Sequence, residues 1–360
     1  MKKSVIALAA LGAFAGAASA QSSVTMFGVV DLNVMTVDNN DRTYSMGTDG
    51  MSSSRLGFRG VEDLGGGLKA SFWLEMGIAP DTGGNAQIWG NSTASNANRL
   101  FFNRRSTLSL SNQWGELRLG RDYTPTFWNW TVFDPFGTNG VGAATNLAIG
   151  ADLAAAGAGS TFGTLVRANN MVAYILPAGQ FGPGLYGQIN VAAGENANAN
   201  KYFGGRIGYA AGPFGIAASY GKTEELVAGS GVDGDAWNIA GSWNFGFMKL
   251  SGFYGEMETD GLAGREAGRE NWFVGVTAPF GQWNFKASYG GTNGSGRLDN
   301  VDASQWAIGV DYNLSKRTAL YATWSSINND NAAFSVSTQS SALSAGNNST
   351  GGQIGVRHTF

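Results

Sequence analysis

The chain of 360 residues contains no cysteine, and only 14% of its residues are charged. Without thiols, neither disulfide bonds nor thiolate metal sites can contribute to its structure. Beyond the first 20 residues it also lacks the run of roughly 20 apolar residues that each membrane-spanning helix requires. A membrane protein built of helices is therefore excluded, and we expect neither a cofactor nor a metal site.

Histidine is almost absent as well, since His358 is the only one. Acid–base and nucleophilic catalysis usually need a base placed next to a nucleophile or a water molecule. His358 lies near the end of the chain, on the alternation that it shares with Val356, and we expect it to face outward. We therefore expect no catalytic residues.

The first 20 residues have the pattern of a secretory signal peptide. Lys2 and Lys3 precede an apolar run over 5–18, and Ala18-Ser19-Ala20 is typical of a cleavage site. We expect residues 1–20 to be removed and residues 21–360 to form a single domain. That domain would retain 21 basic residues against 26 acidic ones, a balance that argues against a nucleic-acid partner.

The last ten residues, 351–360, alternate apolar side chains with polar or small ones and end on Phe360. A period of two places successive side chains on opposite faces of a strand. One face would then meet an apolar environment and the other an aqueous one. In an exported chain with 55 glycines, 11 tryptophans and 21 phenylalanines, this pattern predicts a transmembrane β-barrel.

Short turns recur at regular intervals along the chain. Five of them are centred on Gly182, Gly212, Gly246, Gly281 and Ser315, which are 30 to 35 residues apart. This spacing fits two strands of about ten residues and one longer loop. Two earlier turns, at 64–67 and 112–115, bring the total to seven. Seven turns at the same end as both termini predict eight hairpins, and hence an all-β antiparallel barrel of 16 strands.

The strand segments themselves carry one apolar and one polar face. In the segment 236–245, Trp237, Ile239 and Trp243 alternate with asparagine, alanine and serine. A soluble β-sandwich would show the same alternation, with its apolar face in a core. We disfavour this alternative because such a core would need more leucine, isoleucine and valine than the chain supplies.

Long stretches between the strands are rich in asparagine, serine and glycine, which is typical of exposed loops. They span 38–52, 77–99, 124–162, 223–235, 257–269, 292–304 and 328–349. The stretch 124–162 differs because it carries five aromatic residues between Phe127 and Phe136. Such a segment is expected to pack against protein rather than lie in water. We expect it to fold into the barrel interior, and we call it the constriction loop.

Five segments carry motifs that are specific in combination. They are VTMFGVVD at 24–31, SRLGFRGVEDLG at 54–65, GELRLGR at 115–121, RANNMV at 167–172 and GVRHTF at 355–360. With these segments the chain resembles, over its full length, the general diffusion porins of Gram-negative bacteria. The resemblance is closest to the trimeric porins of β-proteobacteria.

The resemblance implies a 16-stranded barrel, three copies of which associate, each with its own water-filled pore. A third extracellular loop folds inward and narrows this pore, so that acids on the loop face arginines on the opposite wall. The matching wall residues are Arg55, Arg59, Arg104 and Arg167. The matching loop acid is Asp134 in Asp-Pro-Phe-Gly, and Asp122 is a second candidate. The loop has fewer acids and more aromatic residues than the enterobacterial pattern.

The resemblance also implies the partners of the protein. They are outer-membrane lipid and lipopolysaccharide around the barrel, and small ions and hydrophilic solutes within it. The C-terminal strand ending at Phe360 would be the signal for the barrel-assembly machinery.

The alternation of side chains along the strand is enough to assign the direction of two of these arginines. Arg55 and Arg59 share one face of the strand at 54–64, and an arginine facing lipid at the bilayer midplane costs roughly 2–4 kcal/mol. Both should therefore point into the lumen, where they either select ions or merely solvate the wall. Arg104 and Arg105 are adjacent, so that one of them should face away from the lumen.

These observations predict an outer-membrane channel for passive diffusion with a weak preference for anions, since arginines in a pore favour anions. A substrate-specific channel for a sugar or a phosphate, built on the same barrel, is the alternative. Trp73 on the lumen side is the single hint of it. A hydrolase on an outer-membrane barrel is a distant alternative.

Overall fold

The computed structural model describes residues 23–85, 101–148, 164–177, 179, 182–194, 201–226, 231–260, 266–337 and 343–360. The expected signal peptide lies outside these residues, as does the constriction loop beyond residue 148. Within the described ranges the chain forms one antiparallel sheet of 18 strand segments, with one α-helix and one 3₁₀-helix.

The strand segments are β1 (Ser23–Asn39), β2 (Asp41–Thr48), β3 (Arg55–Gly65), β4 (Leu68–Ala79), β5 (Gly84–Asn85), β6 (Arg105–Asn112), β7 (Gly115–Tyr123), β8 (Arg167–Ile175), β9 (Leu185–Ala192), β10 (Lys201–Ala211), β11 (Phe214–Glu224), β12 (Gly234–Asn244), β13 (Lys249–Thr259), β14 (Ala267–Phe280), β15 (Trp283–Gly296), β16 (Asp302–Asn313), β17 (Thr318–Asp330) and β18 (Ser349–Thr359). The helix α1 spans Pro125–Phe133, and the 3₁₀-helix spans Ala144–Leu147.

The 18 segments make 16 barrel strands. β2 pairs with residues 32–39 of β1 and β3 pairs with residues 23–29, so that β2 and β3 are consecutive parts of one strand beside β1. β5 is a two-residue segment paired with the end of β4. β1 pairs with β18 and closes the sheet. The predicted all-β antiparallel barrel of 16 strands is confirmed.

The connections agree with the prediction at one end of the barrel and differ in part at the other. All seven predicted turns join consecutive strands. The loop expected at 38–52 is wrong, because β1 continues to Asn39 and Asn40 turns the chain directly into β2 with a φ of 79°. Asparagine tolerates this left-handed conformation. Residues 193–200, which join β9 to β10, form a connection that was not predicted.

The two faces of the sheet have opposite character. On β12, Trp237, Ile239 and Trp243 leave 41%, 43% and 46% of their surface exposed, whereas Asn238 and Ala240 are buried. A sheet that exposes its large apolar side chains and encloses its small and polar ones is suited to lipid on the outside. Among the described residues, no helix has the length and apolar character needed to cross a membrane.

The last residue takes part in closing the barrel. Phe360 and Gly28 exchange two backbone hydrogen bonds of 3.0 Å, and the Phe360 ring covers Gly28 so closely that a side chain there would overlap it. His358 lies beside Thr318, with 2.9 Å between its Nδ1 and the Thr318 hydroxyl oxygen. Because it shares the face of the exposed Val356, His358 points outward.

Candidate functional site

The described part of the constriction loop, residues 124–148, lies inside the barrel. α1 packs against the inner wall formed by β9 to β13. The Trp130 ring lies 4.0 Å from the Phe253 ring, measured between centroids. Asn129 donates to the Asn238 side-chain oxygen at 2.8 Å. Small wall residues such as Ala240 leave room for the aromatic rings of the helix, so that this wall is shaped to receive it.

The loop then crosses two glycines of the wall. A side chain at Gly275 on β14 would overlap the ring of Pro135. A Cβ at Gly309 on β16 would lie 2.8 Å from the ring of Phe136, closer than packed side chains allow. Glycine at these two positions lets the loop backbone approach the wall.

The tip of the loop reaches the segment 49–54, which interrupts the strand formed by β2 and β3. The Ser53 hydroxyl donates to the Asn139 side-chain oxygen at 2.8 Å. Gln353 on β18 accepts a hydrogen bond from the loop amide of Val141 at 3.4 Å and donates to the Gly50 carbonyl oxygen at 2.8 Å. The loop therefore follows the inner wall from β9 to β18. The lumen that it leaves open is bounded on the other side by β3, β4, β6 and β7.

Asp134 lies on this loop, but its carboxylate is enclosed by the loop backbone. It accepts hydrogen bonds from the amides of Phe136, Thr138 and Ala144 at 2.9, 2.9 and 3.0 Å. Burial raises the pKa of Asp134, and these three donors oppose that rise. The expected acid facing the wall arginines is thus a carboxylate that shapes the loop.

In the described part of the constriction loop, residues 124–148, the side that faces the lumen is almost without charge. Asp134 is the only charged residue in 124–148. Val132 is 43% exposed, and Trp128 and Thr131 are half-buried. The exposed surface of this part of the loop is therefore neutral.

Arg55 and Arg59 lie on the inner face of β3. Arg55 pairs with Val29 of β1, which is buried, whereas Met26 on the opposite face of β1 is exposed. The Arg55 guanidinium donates to the Ser53 carbonyl oxygen at 3.2 Å. Arg59, four residues nearer the short turn, is exposed to the lumen.

Arg104 and Arg105 both point to the inner side, contrary to the expectation that one of them faces away. Arg104 Nε lies 2.6 Å from Glu75 Oε1, and Arg105 Nε lies 3.4 Å from Asp122 Oδ2. Side chains alternate only within a strand. Arg104 belongs to the bend before β6, and Arg105 is the first residue of that strand.

Arg167 joins the same group from β8 but is buried beneath Tyr123. Its guanidinium carbon lies 4.3 Å from the centre of the Tyr123 ring, and its Nε donates to the Arg104 carbonyl oxygen at 2.9 Å. Arg104 in turn donates to the Tyr123 hydroxyl at 3.1 Å. The structure therefore brings Arg104 and Arg167 together, with Arg167 supporting the position of Arg104.

Asp122, the second expected loop acid, lies instead on the wall strand β7. Its carboxylate is 2.6 Å from Arg118 Nη1 and 3.4 Å from Arg105 Nε. The loop begins two residues later, so that Asp122 belongs to the basic side and partly neutralises it.

Several inner charges were not predicted, among them Glu75, Arg118 and Arg206. Arg206 on β10 donates to the Tyr186 hydroxyl at 3.3 Å and lies 4.8 Å from the centre of that ring. The alternation with Ile207, which is 58% exposed, was a signal that could have assigned Arg206 to the lumen. The partners of Glu75 and Arg206, which are Arg104 and Asn129, lie 29 and 77 residues away and gave no such signal. Arg118 instead pairs with its near neighbours Glu116 and Asp122.

Comparison with known proteins agrees with this architecture. A model of the Gram-negative porin family matches residues 7–332. Outer membrane porin protein 32 of Delftia acidovorans is 38% identical and an outer membrane porin protein of Bordetella pertussis is 30% identical, each over 100% of both chains. An anion-selective porin from Comamonas acidovorans has a TM-score of 0.79 at 35% identity, covering 94% of this chain and 100% of that one.

These relatives are outer-membrane channels, and neither they nor the family are enzymes, which removes the hydrolase alternative. The full-length match agrees with the closed barrel, its apolar outer face and its enclosed loop. We conclude that the protein belongs to the Gram-negative porin family and forms a channel for passive diffusion in the outer membrane.

Proposed function

We propose that this porin passes small anions more readily than small cations. The observation that carries the proposal is the unequal charge on the two sides of the lumen. Arg55 and Arg59 lie on the wall, whereas the loop residues 124–148 contain one carboxylate, which their own backbone encloses. Arginine side chains that line a pore favour anions.

The ion pairs of the wall support the same sign of selectivity. Arg104, Arg118 and Lys286 each pair with a carboxylate and contribute little net charge. In the part of the chain that the structure describes, Arg55 and Arg59 form no ion pair. Their field extends over a Debye length of about 8 Å at physiological salt. The name of the Comamonas relative, an anion-selective porin, agrees with this proposal.

We assign the narrowing of the pore to the constriction loop 124–162, and its basic side to Arg55 and Arg59, with Arg104 and Arg167 behind them. Asp122 and Asp134 then act by local neutralisation and by shaping the loop. We further propose a mature chain of residues 21–360 that assembles as a homotrimer in contact with lipid and lipopolysaccharide. The family resemblance of the sequence supports both statements.

Neutralising Arg55 and Arg59 together is expected to shift the reversal potential in a KCl gradient toward that of a cation-preferring pore. A unit charge about 8 Å away in water contributes roughly 0.5 kcal/mol. The charge acts with opposite sign on chloride and on potassium, and screening over one Debye length weakens it about threefold. Each charge removed should therefore lower the ratio of chloride to potassium permeability about twofold. The measurement is the reversal potential of the double variant Arg55→Gln/Arg59→Gln in planar bilayers under a KCl gradient.

Arg42→Gln is the matched control, because Arg42 pairs with Asp38 in an exposed ion pair on the outer surface. Its reversal potential should equal that of the unaltered porin. The anion preference would have to be abandoned if the unaltered porin itself preferred potassium, or if the double variant behaved like the control.

Phe360 is proposed as the signal that the barrel-assembly machinery recognises, and it also seals the β1–β18 seam over Gly28. Phe360→Ala should lower the amount of folded porin in the outer membrane, measured by its heat-modifiable mobility in electrophoresis. Phe280→Ala is the control, since Phe280 is a 77% exposed phenylalanine beside a turn. Equal amounts of folded protein for the two variants would contradict this role.

A further inference from the structure

Four side chains form a column on the inner wall, on the short-turn side of Arg55. We call this set, Phe27, Arg59, Trp73 and Arg105, the aromatic column. The Phe27 and Trp73 rings meet edge to face with 4.9 Å between centroids. The Arg59 guanidinium carbon lies 5.3 Å from the Phe27 centroid and 5.1 Å from that of Trp73. The Arg105 guanidinium carbon lies 4.6 Å from Trp73.

The rings of the column are fixed by the barrel itself. Arg59 pairs with Trp73 across β3 and β4, which places both on the lumen face. A side chain at Gly57 would overlap the Phe27 ring, so that the glycine gives this ring its place on the wall. Trp73 Nε1 donates to Glu75 Oε2 at 3.1 Å, which sets the orientation of the indole.

The column keeps a positive charge although its arginines are held in place. Stacking on an aromatic ring attracts a guanidinium without neutralising it. Arg59 is exposed and, within the described residues, forms no ion pair. The carboxylate nearest Arg105 is that of Asp122, which lies closer to Arg118, at 2.6 Å against 3.4 Å. Positively charged guanidinium groups and aromatic rings thus lie side by side on the lumen face of the barrel wall.

We propose that the aromatic column is a binding subsite for aromatic monocarboxylates. The carboxylate of the ligand accepts hydrogen bonds from two parallel N–H groups of Arg59. A guanidinium binds a planar carboxylate in this two-point geometry. The ring of the ligand contacts Trp73 and Phe27 through edge-to-face or offset stacking. The inference rests on the proposed anion preference. It adds that the ligand needs a flat aromatic ring, because an anion without one is attracted by the arginine charge alone and does not stack on Trp73 and Phe27.

The test compares two anions on single porins in planar bilayers containing KCl. The probes are benzoate and cyclohexanecarboxylate, which have the same charge and similar size but differ in ring planarity. Benzoate should halve the current at a concentration about three- to tenfold lower than cyclohexanecarboxylate, the range that an aromatic pair contributes. Trp73→Leu should abolish this difference, and Trp73→Phe should retain most of it.

Trp243→Leu is the matched control, since Trp243 is a tryptophan on the outer face, and it should discriminate like the unaltered porin. Recording only inserted, conducting pores keeps poor folding of a variant from altering the result. Equal half-blocking concentrations for the two probes would overturn the subsite, as would discrimination that survives in Trp73→Leu. A cation-preferring reversal potential in the same bilayers would refute the proposed function, whereas anion preference without discrimination refutes only the subsite.

Discussion

Asp134→Ala is expected to loosen the constriction loop and to raise the single-channel conductance. The substitution removes the acceptor of three loop amides, those of Phe136, Thr138 and Ala144. A buried donor left without a partner costs about 1–3 kcal/mol, so that several kcal/mol of loop anchoring is lost. The strand ladders of the barrel are untouched. The conductance should rise and become noisier while the barrel stays folded, as bilayer recording and far-UV circular dichroism can measure.

Asp134→Asn should have an intermediate effect, because the amide keeps one oxygen acceptor and turns an N–H group toward the remaining donor. Asp63→Ala is the control, since Asp63 accepts a single turn amide, that of Gly65, at 2.8 Å in an exposed position. It should leave the conductance unchanged. If Asp134→Ala conducted like Asp63→Ala, the enclosed carboxylate could not be what holds the loop.

Asp31→Ala is expected to lower the unfolding temperature more than any other single replacement discussed above. Asp31 is fully buried on the inner face of β1 and accepts the amides of Gly50, Met51 and Ser52 at 3.2, 2.9 and 2.7 Å. The Tyr321 hydroxyl donates to the same carboxylate. Four donors lose their acceptor, at about 1–3 kcal/mol for each one that stays buried. Thermal unfolding in detergent micelles, followed by circular dichroism, measures the loss.

The same change should also alter ion selectivity, because the segment 49–54 leads directly into Arg55 and meets the tip of the loop through Ser53. Tyr321→Phe provides the comparison, since it removes one donor and leaves the three amides bound to Asp31. Its expected cost is about 1 kcal/mol. The proposed anchoring of this segment fails if both variants unfold at the same temperature with the same reversal potential.

The parts of the molecule that could be predicted are those that neighbouring residues decide. The alternation around Trp237 and around Arg55 correctly assigned the outer and inner faces, because side-chain direction in a strand depends only on the position along it. The turns at Gly212 and Gly281 were found for the same reason. The predicted side-chain directions were wrong where the regular strand ends. Arg104 lies in the bend before β6, so that it and the adjacent Arg105 both point inward.

The acids of the pore could not be assigned from the sequence. Asp134 has the residue type and position of an acid facing the lumen, but backbone amides up to ten residues away enclose it. Asp122 precedes the loop closely enough to be counted with it, and its arginine partners come from both β6 and β7. The break between β2 and β3 likewise depends on Asp31, about 20 residues earlier.

By itself, the amino-acid sequence determined the closed barrel, its 16 strands, its apolar exterior and the inward direction of Arg55 and Arg59. These features follow from a two-residue period and from local turns, which need no partner elsewhere. Only the tertiary structure decided which charges the lumen retains, because neutralisation depends on distances between groups on different strands. Pro135 on Gly275, Asn139 beside Ser53 and Arg105 beside Trp73 meet only after the sheet has closed and the loop has folded inside it.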